Sequence, residues 1–82
     1  MPKIFARNLS ERRVISLDGD TIGTLHNITV DLETGRLIEL LVEPDVDIEL
    51  SQYRTEGGFI LLPFKCVSAI QEFIVIDKNE LR

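Results

Sequence analysis

Apolar and polar residues alternate along most of this chain, with the two-residue period of β-strands. From Thr21 to Leu32 the even positions read Ile22, Thr24, His26, Ile28, Val30 and Leu32, and the odd positions are mostly polar. Leu25 breaks the alternation, which allows a β-bulge near His26. From Arg36 to Glu43, Ile38, Leu40 and Val42 share one face, and Leu37, Glu39, Leu41 and Glu43 share the other, so this strand is apolar on both sides. Phe59 to Pro63 and Phe73 to Ile76 are short continuous apolar runs, the pattern of strands buried on both faces. The turns between them are marked by Asp18-Gly19-Asp20, Glu33-Thr34-Gly35-Arg36 and Gly57-Gly58, because glycine supplies the positive φ of tight turns. Turn signals this regular predict a small sheet or barrel. Ser10-Glu11-Arg12-Arg13 reads as one helical turn capped by Ser10, and no long amphipathic helix is visible.

Composition turns that pattern into a question about burial. The 82 residues are 44% hydrophobic and 28% charged, which suits one folded domain over residues 1–82. Ordering a chain of this size costs on the order of 100 kcal/mol of conformational entropy. A domain this small buries only about two-thirds of its unfolded surface. One face of a two-sided apolar strand meets the interior; the other needs a partner chain or a terminal segment to cover it. Leu37 and Leu41 interleaved with Glu39 and Glu43 have the character of an interface with a polar rim. A pocket for a large substrate would consume much of so small a core, which disfavours an enzyme.

Charge and cysteine content narrow the classes further. The net charge is −5, with the acidic excess in the second half. That field repels phosphate backbones, and Arg7, Arg12 and Arg13 form the only basic cluster, so nucleic acid is disfavoured. A single cysteine, Cys66, makes no internal disulfide, and no apolar run approaches the roughly 20 residues of a membrane span. The expected setting is the cytoplasm.

No catalytic constellation emerges. His26 is the only histidine and has no second ligand at a suggestive spacing. Cys66 follows Lys65, which would lower a thiol pKa, but its surroundings read as packing. Asp45, Asp47, Glu49 and Glu56 fall at positions one, three, five and twelve of a calcium loop, yet the sixth position, which needs glycine, is Leu50. Val46, Ile48 and Leu50 alternate with the acids as in a solvated edge strand or a covering loop. No catalytic, cofactor-binding or metal-binding residue is assigned.

The run from Val14 to Pro44 resembles the PRC-barrel family in the order of its motifs. These are a hairpin at Asp18-Gly19, then Ile22-Gly23-Thr24-Leu25, Asp31 ending the second strand, a turn at Gly35, and an apolar third strand from Leu37 to Val42. Ile60 to Phe64, Val67, Ile70 and Phe73-Ile-Val-Ile-Asp77 are similar to the family's closing strands. One departure is the missing glycine ahead of the first strand, where Arg12-Arg13 stand. The resemblance implies an all-β, six-stranded, partly open PRC-type β-barrel with at most one or two short helical turns, often dimeric and used for docking. Within the family, Ala6-Arg7-Asn8-Leu9-Ser10, Val42-Glu-Pro-Asp45, Pro63-Phe64 and Ile74-Val-Ile-Asp77 are similar to the archaeal CdpB-type cell-division proteins. That likeness implies binding to SepF, the membrane anchor of FtsZ, or to a related PRC-barrel protein, with recruitment to the division site and no direct membrane insertion.

The leading expectation is therefore a non-catalytic adaptor, a homodimer or higher assembly without cofactors. Leu37, Leu41, Phe59 and Phe73 are the residues expected at its self-association surface, with Glu39 and Glu43 at the rim. A second reading is an RNA-processing or ribosome-assembly accessory using Arg7, Arg12, Arg13 and Arg36. A third, a metal or small-molecule sensor, would rest on Asp45, Asp47, Glu49 and Glu56.

Overall fold

The structure, a computed structural model, describes residues 11–81. Its strands are β1 (Arg13–Ser16), β2 (Thr21–Val30), β3 (Leu37–Pro44), β4 (Arg54–Glu56), β5 (Phe59–Pro63), β6 (Val67–Ile70) and β7 (Phe73–Ile76). They form one sheet in the order β4-β5-β3-β2-β1-β7-β6. All neighbours are antiparallel except β1 and β7, which run parallel with Val14 beside Ile74 and Ser16 beside Ile76. The sheet curls without closing, as expected of a partly open barrel. Among the described residues it has seven strands where six were expected. The additional one is β4, which Gly57-Gly58 folds back so that Arg54 pairs with Leu61 and Glu56 with Phe59.

The turns close where the glycines predicted. At the first, the buried Ser16 Oγ accepts hydrogen bonds from the Asp18 and Asp20 backbone N–H groups, both at 3.2 Å. At the second, Asp31 Oδ1 accepts from Glu33 N–H at 2.9 Å, which gives the aspartate that ends β2 a physical task in shaping the turn. Three short 3₁₀ turns, Leu50–Gln52, Phe64–Cys66 and Lys78–Leu81, exceed the one or two expected. None falls at Ser10 to Arg13: Ser10 lies outside the described residues, and Arg13 already belongs to β1 because it pairs with Thr24. Glu11 holds a left-handed φ of 72° where glycine would be at ease, and its N–H reaches the Leu25 carbonyl at 2.8 Å. The segment from Asp45 to Arg54 is neither an edge strand nor a bare loop, since its 3₁₀ turn leads directly into β4.

The core is the inner face of the curl. Val14, Ile22, Leu25, Leu40, Val42, Ile60, Leu62, Cys66, Ile74 and Ile76 are essentially inaccessible, and Ile28, Ile48, Tyr53, Phe64, Val67 and Leu81 pack on them. Burying each such aliphatic side chain contributes about 1.5–3 kcal/mol. Gly23 lies within this interior, where β2 crosses closest to β3; a Cβ there would stand 2.1 Å from the Glu43 carbonyl oxygen. No larger residue fits that approach.

Two expectations about burial need correction. Between Leu25 and Asn27 the pairing of β2 with β3 slips, so His26 is extra and turns outward, and the even-numbered face does not stay inside. Leu32, placed on that face by parity, is 78% exposed in the turn that follows. The run from Phe73 to Ile76 is not buried on both faces: Ile74 and Ile76 point inward, while Phe73 is exposed.

Candidate functional site

With the interior filled by aliphatic side chains, chemistry and recognition fall to the outer face and the edges. On β3 the strand period turns Glu39, Leu41 and Glu43 outward together, whereas Leu37 lies beyond a second slip: Thr29 pairs with Glu39 and Val30 with Leu37, so Ile38 is the extra residue. Pairing sets Leu41 between Asn27 and Leu61, and Glu39 between Thr29 and Pro63. Phe59 follows on β5, one step from Ile60, which faces Val42. His26, released by its bulge, stacks on Phe59 with ring centroids 4.5 Å apart and planes 21° from parallel. Leu37, Leu41 and Phe59 are half-buried, Leu61 is 6% exposed and Glu43 is exposed. Four of the six residues expected at an interface, Glu39, Leu41, Glu43 and Phe59, thus share one continuous face, while Leu37, beyond the bulge at Ile38, is out of phase with them.

Nor does the last of the six join them. Phe73 lies on β7 beside Arg13, three strand spacings or roughly 14 Å from β3. It is 46% exposed, with Ile15 and Val75 on the same side of the sheet and Ile70 of β6, 40% exposed, close by on the other. The apolar surface therefore divides into two regions, one on β3–β5 and one around β7–β6.

Ile38 was expected inside, with Leu40 and Val42, but it is 45% exposed. The slip between β2 and β3 leaves Ile38 unpaired, and the pairing of β5 with β3 ends at Pro63 and Glu39, so Ile38 turns outward. Ile38, Leu37, Pro63 and Phe64 instead line an open groove of about 480 Å³ flanked by Arg36 and Lys65. The groove adjoins the β3–β5 face through Pro63, which pairs with Glu39. Its only trace in the sequence is the proline that ends β5.

The charged groups are arranged as ties between strands. Arg13 makes a bidentate pair with Asp45, 3.1 Å from Nη1 to Oδ1 and 2.8 Å from Nη2 to Oδ2, and Arg13 Nη1 also donates to Thr24 Oγ1 at 2.9 Å. The hydrogen bond from Arg13 holds the Asp45 carboxyl below the usual range, and the same bond raises Arg13. Lys78 Nζ lies 2.7 Å from Asp20 Oδ2, which raises the lysine. Arg12 Nη1 donates to the Gln71 carbonyl. The arginines expected to form a basic patch are thus not gathered: Arg13 is committed to Asp45, and Arg36 stands at the opposite end of β3, about 20 Å away at 3.3 Å per residue. Arg7 lies outside the described residues.

Asp45, Asp47 and Glu49 do face one cavity of about 270 Å³, shared with Asp20, Tyr53 and Lys78. Glu56 does not line it; it sits on β4 opposite Phe59. Among the described residues no group of three or more His, Cys, Asp or Glu is placed to hold a metal ion. Cys66 is buried, and burial pushes its thiol up to about 11 despite the neighbouring Lys65, so it is not poised as a nucleophile. Among the described residues, too, no helix is long and apolar enough to cross a membrane.

Comparison with known proteins is consistent with this geometry. The family model of the PRC-barrel domain matches residues 1–82. The chain is also similar to an uncharacterized protein of the archaeon Methanocaldococcus jannaschii, 40% identical over 81 residues, which cover 99% of this chain and 89% of the relative.

Proposed function

The chain belongs to the PRC-barrel family, and from that premise we propose that it is a non-catalytic adaptor that self-associates and docks on the archaeal cell-division machinery through SepF, the membrane anchor of FtsZ. The observation that carries this reading is the continuous outer face of β3 and β5. Leu41 and the stacked Phe59–His26 pair supply apolar area, and Glu39 and Glu43 supply a charged border that sets orientation. Among the described residues the interior is filled mainly by aliphatic side chains, and burial raises the thiol of Cys66 to about 11. An archaeal relative along nearly its whole length supports the setting.

The test is titration of purified protein with SepF of the native organism. Saturable binding is expected, and Leu41→Glu should weaken it about tenfold or more while the circular dichroism spectrum stays native. Phe59→Ser provides a second probe should Leu41→Glu fold poorly. Absence of binding by the native protein would overturn the SepF assignment; binding unchanged by either substitution would remove this face from it.

A further inference from the structure

We propose that β6 is a self-pairing edge, onto which a second copy of the chain adds its own β6 antiparallel across a twofold axis. This rests on the reading that the protein self-associates, and it names the surface that does so. Among the described residues nothing pairs with the outer side of β6, which ends the sheet. The strand reads Val67-Ser68-Ala69-Ile70, without the charge or proline that blunts a free edge; it does carry a bulge at Ser68 against β7, which turns Val67 and Ile70 to the same face. An exposed ladder of this kind invites a further strand.

The occupant follows from self-complementarity. In an antiparallel pairing with Ser68 opposite Ala69 of the second copy, Val67 falls opposite Ile70, and both belong to the core-side face of β6. The 40% of Ile70 left exposed in one copy is then covered by Val67 of the other. Just beyond the strand ends, the 3₁₀ turn carrying exposed Lys65 and the β6–β7 turn carrying exposed Glu72 of the second copy come to the same end of the paired edge, twice per dimer by symmetry. A chain of net charge −5 repels itself over most of its surface, and this uncharged strand with a cation at one end and an anion at the other is a place where two copies attract. The contact is short, so association in the micromolar range is expected.

Sedimentation equilibrium on the full chain tests this with Lys65→Glu, Glu72→Lys and the double reversal, all at exposed positions. Each single reversal turns two attractive pairs per dimer into repulsive ones and should raise the dimer dissociation constant about tenfold. The double reversal should restore it. A native dimer that ignores the single reversals, or that the double reversal fails to restore, overturns the β6 edge and leaves self-association standing. A native chain that is monomeric at every concentration tested overturns both.

Discussion

At one end of the sheet β4 presents Arg54, Thr55 and Glu56 to solvent; at the other β6 presents Val67, Ser68, Ala69 and Ile70. Both are short and, among the described residues, outermost, but only the first carries charge of each sign beside a tight glycine turn, whereas the second carries a bulge at Ser68. Exposed edges are liabilities that folded proteins blunt with charge, so β4 has the composition of a finished border. β6 does not. The contrast suggests that sheet ends in a small barrel are selected separately, one against pairing and one for it. The outer faces show a parallel division, with the β3–β5 face available to a partner and the β7–β6 region to a second copy.

The most severe way to break this contrast strikes what both ends share. Gly23→Ala forces a Cβ against the Glu43 carbonyl oxygen and should cost about 3 kcal/mol in denaturant unfolding, eroding both ends together. An alanine variant as stable as the native chain would show that β2 and β3 do not approach so closely. A smaller intervention sharpens the contrast. Arg54→Thr with Glu56→Thr makes β4 as uncharged as β6, and sedimentation should then reveal species larger than a dimer as both ends pair. Unchanged mass would mean that the brevity of β4, rather than its charge, keeps it unpaired. The mildest change cuts the tie between the two halves. Asp45→Asn should lower stability by about 0.5 kcal/mol at neutral pH. Because Asp45 is held below its ordinary value of 3.8, that contribution is present above this pH and lost as pH falls through the folded-state value. Thermal melts of native and variant protein should therefore converge in acid. A gap that persists there would deny Asp45 the role.

Much of the fold was legible because it is written locally. Gly19, Gly35 and Gly57-Gly58 announced the hairpins, and alternation announced β2 and β3. Leu25, out of phase with its neighbours, announced the bulge that turns His26 outward. What stayed hidden depends on residues far apart in the chain. Nothing in Arg12-Arg13 foretells that Arg13 is a strand residue clamped to Asp45, and a charged pair was read as a helical turn. The additional strand β4 was missed because three polar residues carry no periodicity. For the site, strand period alone placed Glu39, Leu41 and Glu43 together, but it could not show the bulge at Ile38 that takes Leu37 out of phase. It could not separate Phe73 from them, since strand order across a sheet is decided by tertiary pairing. The groove beside Ile38 depends on where β5 stops, which is again a matter of register.

The parallel pairing of β1 with β7 joins residues some sixty positions apart, at opposite extremes of the described chain. A nascent chain leaving the tunnel can form the β1–β2 and β2–β3 hairpins early, yet the inner face of β1 stays uncovered until Ile74 and Ile76 have emerged. Completion is thus deferred until β7 has emerged, and contacts of such long span slow that step. Until then Val14 remains accessible to chaperones, so a pause in synthesis after β5 would leave an incomplete sheet open to misassembly.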